Sequence, residues 1–90
     1  MSSSKRRAIS EALKRANGSI ALIQTMQRTA RGRGVRERMA RHLREMRRLR
    51  RELRIMNQPN SRHSLSSVTT VMGRIVELIC EVISLFAPYT

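Results

Sequence analysis

Ninety residues allow one small domain with a modest core, and a formal charge of +13, from 17 arginines and two lysines against six glutamates, calls for an anionic partner. A single cysteine, Cys80, excludes an internal disulfide framework and reads as a buried small hydrophobe. Phe86 and Tyr89 are the only aromatics, which argues against recognition by base stacking.

The first element is expected over residues 5–30. Ile9, Leu13, Ala16, Ile20 and Ile23 stand at 4-3-4-3 spacing, one stripe of an α-helix, with Ser4 placed to cap it. Asn17-Gly18-Ser19 has the composition of a turn. The stripe keeps its phase across it, so one continuous helix is favoured over a break at Gly18 with Ser19 as a second cap. Arg31-Gly32-Arg33-Gly34 reads as a loop in which either glycine is free to take a positive φ.

A second helix is expected over residues 35–56. Its seam is Val35, Met39, His42, Met46, Leu49, Leu53 and Met56, widened by Leu43. Two seams of equal period joined by a short loop predict an antiparallel hairpin. Arg41, Arg44, Arg48 and Arg51 follow a 3-4-3 spacing on the outer surface, with Arg47 and Arg54 beside them. Arg36 and Arg38 lie nearer the seam and the loop. The pairs Glu37/Arg41, Arg41/Glu45 and Arg48/Glu52 stand at i,i+4 and relieve part of the repulsion.

Pro59 ends that helix within a linker over residues 57–65. A third, apolar helix is expected over residues 66–87, stopped by Pro88. Its apolar residues cover more than half its circumference, leaving Arg74, Glu77 and Glu81 as a polar stripe. Gly73 either permits close approach of another helix or weakens its own. A surface that wide predicts a dimer interface formed by Val71, Ile75, Leu78, Ile79, Val82, Ile83 and Phe86, in preference to a helix that only caps the hairpin of a three-helix monomer. The expected fold is therefore all-α: a basic antiparallel helical hairpin plus a third apolar helix, assembled as a dimeric helical bundle.

No constellation for catalysis is visible. His42 and His63 are far apart in sequence, no cysteine or acid pair has metal-ligand spacing, and the serines lack a base partner. Neither a catalytic residue, a metal site nor a cofactor is expected. The arginine stripe is the strong signal, because guanidinium is permanently charged and forks onto phosphate. The expected nucleic-acid-binding residues are Arg41, Arg44, Arg47, Arg48, Arg51 and Arg54, with Lys14, Arg15, Arg28, Arg31 and Arg33 adding charge nearby. The second helix has no Asn or Gln before Asn57 to read adenine edges, so recognition by backbone and shape is expected, with double-stranded RNA favoured over DNA.

A short chain with a basic helical hairpin, the stripe Arg41, Arg44, Arg47, Arg48, Arg51 and Arg54, and a third helix resembles the small double-stranded-RNA-binding silencing suppressors of nodaviruses. The likeness spans Lys5 to Ala87 in outline and lies in architecture. It implies a viral accessory protein, a homodimer that lies along an RNA duplex and shields it from silencing or host sensing. Two other readings stay open. One is a basic membrane-active viral accessory protein whose carboxyl-terminal helix binds lipid, although Arg74, Glu77 and Glu81 oppose a membrane span. The other is an adaptor imported to the nucleus or nucleolus through Lys5-Arg6-Arg7 and the run from Arg47 to Arg51. No apolar segment follows the amino terminus, so secretion is not expected and action in the host cytoplasm is.

Overall fold

A computed structural model describes residues 3–59 and 62–86, and the described chain is all-α. Helix α1 spans Ser3–Thr29, α2 spans Arg33–Met56 and α3 spans Leu65–Phe86. They form an up-down-up bundle measuring 45 × 22 × 15 Å. The stop expected at Ala87-Pro88 and the side chain of Phe86 lie outside the described residues.

Helix α1 runs without interruption through Asn17-Gly18-Ser19. Ser19 does not cap a second helix: its hydroxyl donates to the Arg15 carbonyl one turn back, at 2.6 Å, and the residue is buried. Ser4 lies inside the first turn, not before it, since the helix begins at Ser3. The loop shrinks to residues 30–32, because Arg33 and Gly34 join α2. Gly32 alone takes a positive φ, 97°, and its carbonyl accepts from the Arg36 amide at 3.3 Å. Arg36 closes the turn from the side chain as well, donating from Nε to the Ala30 carbonyl at 3.0 Å.

The far end of α2 closes with Asn57, whose amide donates to the Leu53 carbonyl at 3.0 Å. Helix α3 starts at Leu65, where Ser64 Oγ accepts from the Ser67 amide at 3.3 Å and so satisfies one orphan donor of the first turn.

One core joins all three helices. Ile9, Ala12, Ala16, Ile20 and Ile23 of α1 meet Met39, Leu43, Met46, Leu49, Leu53 and Met56 of α2. Val68, Val71, Ile75, Leu78 and Val82 of α3 complete it. In α1 the stripe turns slightly, with Ala12 fully buried and Leu13 only partly so. In α2 Met39, Met46, Leu49, Leu53 and Met56 are buried with Leu43 at the edge of the seam, while His42 is only partly buried.

Helix α3 corrects the expected dimer interface. Val71, Ile75, Leu78 and Val82 are buried against the chain's own hairpin, so they are not offered to a second chain. Ile79 is partly buried, and of that set Ile83 alone is described as exposed. The reason is geometric: a hairpin of two long helices leaves a groove along its whole length, and α3 lies in it. Cys80, expected to be buried, is exposed. No described helix is long and apolar enough to cross a membrane.

Gly73 does not serve close approach, because a Cβ there would meet nothing within 4 Å, and the same holds at Gly18. Both are exposed residues inside helices. Gly18→Ala and Gly73→Ala should each raise stability by about 0.5–1 kcal/mol, read by urea denaturation.

Candidate nucleic-acid interface

Around α2 the charged residues sort by flank. At about 100° per residue, Arg33, Arg36, Arg44, Arg47, Arg51 and Arg54 project within one arc of about 80°. No glutamate of α2 falls inside it. All six arginines are exposed. From Arg33 to Arg54 the row runs along about 30 Å of helix axis.

The arc is bounded on one side by α1. Arg50 Nη1 donates to Asn17 Oδ1 at 3.0 Å, which fixes the lateral register of the two helices. Ser10, Lys14, Asn17, Ala21 and Arg28 stand at 4-3-4-7 spacing, one stripe of α1, so the flank marked by Asn17 also carries Lys14 and Arg28. With Arg31 in the loop, two helices present cations to one face.

On the other side the arc is bounded by the acids. Arg48 is clamped: Nη2 and Nε donate to Glu45 Oε1 and Oε2 at 2.5 and 3.0 Å, and Nη1 donates to Glu52 Oε1 at 2.5 Å. Arg74 of α3 joins this network, 3.8 Å from Glu45, 3.1 Å from Glu77 and 3.5 Å from Glu81. His42 Nε2 stands 3.7 Å from Glu81. Four of the six glutamates thus line the α2–α3 seam.

The expected binding set therefore divides. Arg44, Arg47, Arg51, Arg54, Lys14, Arg28 and Arg33 share the α1–α2 side, and Arg31 is exposed in the loop that joins the two helices. Arg48 belongs to the ion-pair network, because Glu45 and Glu52 stand one turn before and after it. Arg41 projects to the same flank as Arg48. Glu45 turns to Arg48 and Arg74 and makes no ion pair with Arg41. Arg15 points to the opposite flank of α1, with Glu11 and Leu22, since one residue of advance from Lys14 is about 100° of rotation. Lys5 is buried and leaves the exposed charge near the amino terminus to Arg6 and Arg7.

Spacing alone does not reveal the parts played by Arg36 and Arg50. Their positions depend on the loop closure and on the hairpin register, and neither is written in the periodicity of α2.

The Arg48 clamp has an electrostatic signature. The hydrogen bond from Arg48 holds the Glu45 carboxyl below its ordinary range; partial burial opposes this, and the charges of Arg48 and Arg74 reinforce it. The folded chain thus binds that proton less readily than the unfolded chain. The resulting stability is present above the ordinary carboxylate value of about 4.3 and is lost as pH falls through the lower folded value. Glu45→Gln should depress the melting temperature at neutral pH, and the difference from wild type should vanish in acid below that folded value.

Among the described residues no group of three or more His, Cys, Asp or Glu side chains is placed to hold a metal ion. The chain matches no family model, no curated protein and no solved structure.

Proposed function

We propose that this chain is a non-enzymatic, sequence-independent binder of duplex nucleic acid, with double-stranded RNA preferred to DNA. The observation that carries the reading is the separation of charge across the bundle. Cations of α1 and α2 share one face, with Glu37 beside Arg33 and Arg36 at its loop end. Glu45 and Glu52 of α2 and Glu77 and Glu81 of α3 are held on another by Arg48 and Arg74. A solvated helix surface needs no such separation; phosphate contact does, since a carboxylate in the row would repel the ligand.

The preference for RNA rests on what the face lacks. Its side chains are arginine and lysine, and Asn17, the amide best placed to read a base, is engaged by Arg50. Contacts to phosphates and 2′-hydroxyls across a duplex need no further vocabulary. In keeping with the resemblance to nodaviral suppressors, the chain would cover a duplex and so shield it from silencing or host sensing, acting as a homodimer in the host cytoplasm or nucleus. The large apolar residues left exposed for a second copy are Leu22 of α1, Ile55 of α2, and Leu65, Val76 and Ile83 of α3.

Gel shifts with duplex RNA, duplex DNA and single-stranded RNA over a salt gradient test the reading. Duplex RNA should bind most tightly, with a steep fall in affinity as salt rises. Equal binding of single strands would overturn it. Flotation with anionic vesicles in place of duplex binding would favour the lipid reading, for which the same exposed apolar residues are the available surface.

A further inference from the structure

We infer that Ser10 is a phosphorylation site through which a basophilic serine kinase turns the cationic face off. This regulation rests on the proposed nucleic-acid binding, whereas the site itself does not.

Three observations converge on Ser10. First, it is exposed and lies one stripe-step from Lys14 and two from Asn17, on the flank of α1 that Arg50 reaches. Second, its hydroxyl takes part in no hydrogen bond among the described residues. Ser19, Thr25, Thr29, Thr69, Thr70 and Ser84 all donate theirs to a carbonyl of the preceding turn. Third, Arg7 and Arg6 stand three and four residues before it, both exposed. Arginine at the third position before the acceptor is the determinant that basophilic kinases select, through carboxylates in their own groove.

A kinase must read that segment extended, and the charge at the start of α1 favours its opening. The first turn carries no acid, and Lys5, Arg6 and Arg7 place positive charge at the positive end of the helix dipole. Those charges weaken the first turns of α1, and drawing the segment out also costs the burial of Ile9. The γ-phosphoryl group of MgATP then passes to Ser10 Oγ. The Oγ–P bond forms as the bond to the β,γ-bridging oxygen breaks, ADP departs, and the hydroxyl proton goes to the kinase's base.

The product inverts the local electrostatics. A phosphate of roughly two negative charges gains Arg6 and Lys14 at i−4 and i+4 and Arg7 at i−3. The start of α1 tightens. Arg7 and Lys14 are occupied from within, and an anion stands where the duplex backbone would lie.

The test treats the full chain with MgATP and a calmodulin-dependent serine kinase that selects arginine three residues before the acceptor. Phosphate should enter at Ser10, disappear in Ser10→Ala and fall sharply in Arg7→Ala. The phosphorylated chain should gain helicity by circular dichroism and lose affinity for duplex RNA tens-fold at about 0.1 M salt. Its salt slope should be shallower by roughly one, as expected when Lys14 no longer reaches the duplex backbone. Ser10→Glu should move both readouts in the same directions by less. No incorporation, or incorporation that survives Ser10→Ala, would overturn the site. Phosphate at Ser10 with unaltered duplex affinity would overturn the regulation. If the unmodified chain bound no duplex at all, the function proposed above would fall, and labelling at Ser10 would still be read independently.

Discussion

Replacing Arg44, Arg47 and Arg51 together by glutamine is expected to weaken duplex RNA binding by two orders of magnitude or more at about 0.1 M salt. The figure follows from counterion release, in which each phosphate contact contributes a salt slope of about 0.9 and so close to tenfold in affinity at that concentration. The slope itself should flatten by roughly three. Helicity should be kept, since all three residues are exposed and glutamine is a good helix former. Arg41→Gln with Arg48→Gln is the matched comparison on the adjoining flank. It should change affinity far less and instead lower stability, because Glu45 and Glu52 lose their partner in Arg48. Equal losses from the two sets would show that the face does not end where the acids begin.

Val82→Asp is expected to unfold the chain. Val82 is 1% exposed, and the carboxylate would stand among Ile75, Leu78 and the hairpin core. An unpaired buried charge costs several kcal/mol, comparable with the whole stability of a domain this size. Ile83→Asp, one residue further along, should leave helicity and melting temperature nearly unchanged, because Ile83 is 50% exposed. The pair separates core from interface. If Ile83→Asp with Val76→Asp dissociates a dimer seen by sedimentation for the wild type, the exposed strip of α3 is the contact; if the wild type sediments as a monomer at every concentration, the homodimer is excluded.

The helices were legible because their signals are local. Apolar residues return with a period near 3.6 in all three segments, and the phase preserved across Asn17-Gly18 predicted the unbroken α1 that is observed. The widths of apolar surface were legible too, but not their destination. The same stripe on α3 fits a dimer contact or an intramolecular groove, and only the packing of three helices together decides that Val71, Ile75, Leu78 and Val82 face inward.

The arginine face was half legible for a related reason. Spacing along α2 placed Arg44, Arg47, Arg51 and Arg54 outside the seam. It already paired Arg48 with Glu52, but it could not say that Glu45 would turn to Arg48 and Arg74, or that Arg41 would be left without Glu45 as partner. Those outcomes depend on Arg74 of α3 approaching Glu45, a contact between residues 29 positions apart. The register of α1 against α2 was likewise absent from the pattern, so Arg15 could not be told from Lys14.

The contact between Arg50 and Asn17 bears on how the protein would behave during purification. The flank where the two most cationic helices meet is bridged by an amide oxygen, not by a carboxylate. Ion pairs weaken with ionic strength, whereas a hydrogen bond to a neutral amide is much less affected. Concentrated salt that strips a polyanion from the arginines should therefore leave the two helices aligned. A column loaded with the complex and eluted in brine should return a folded, reusable chain.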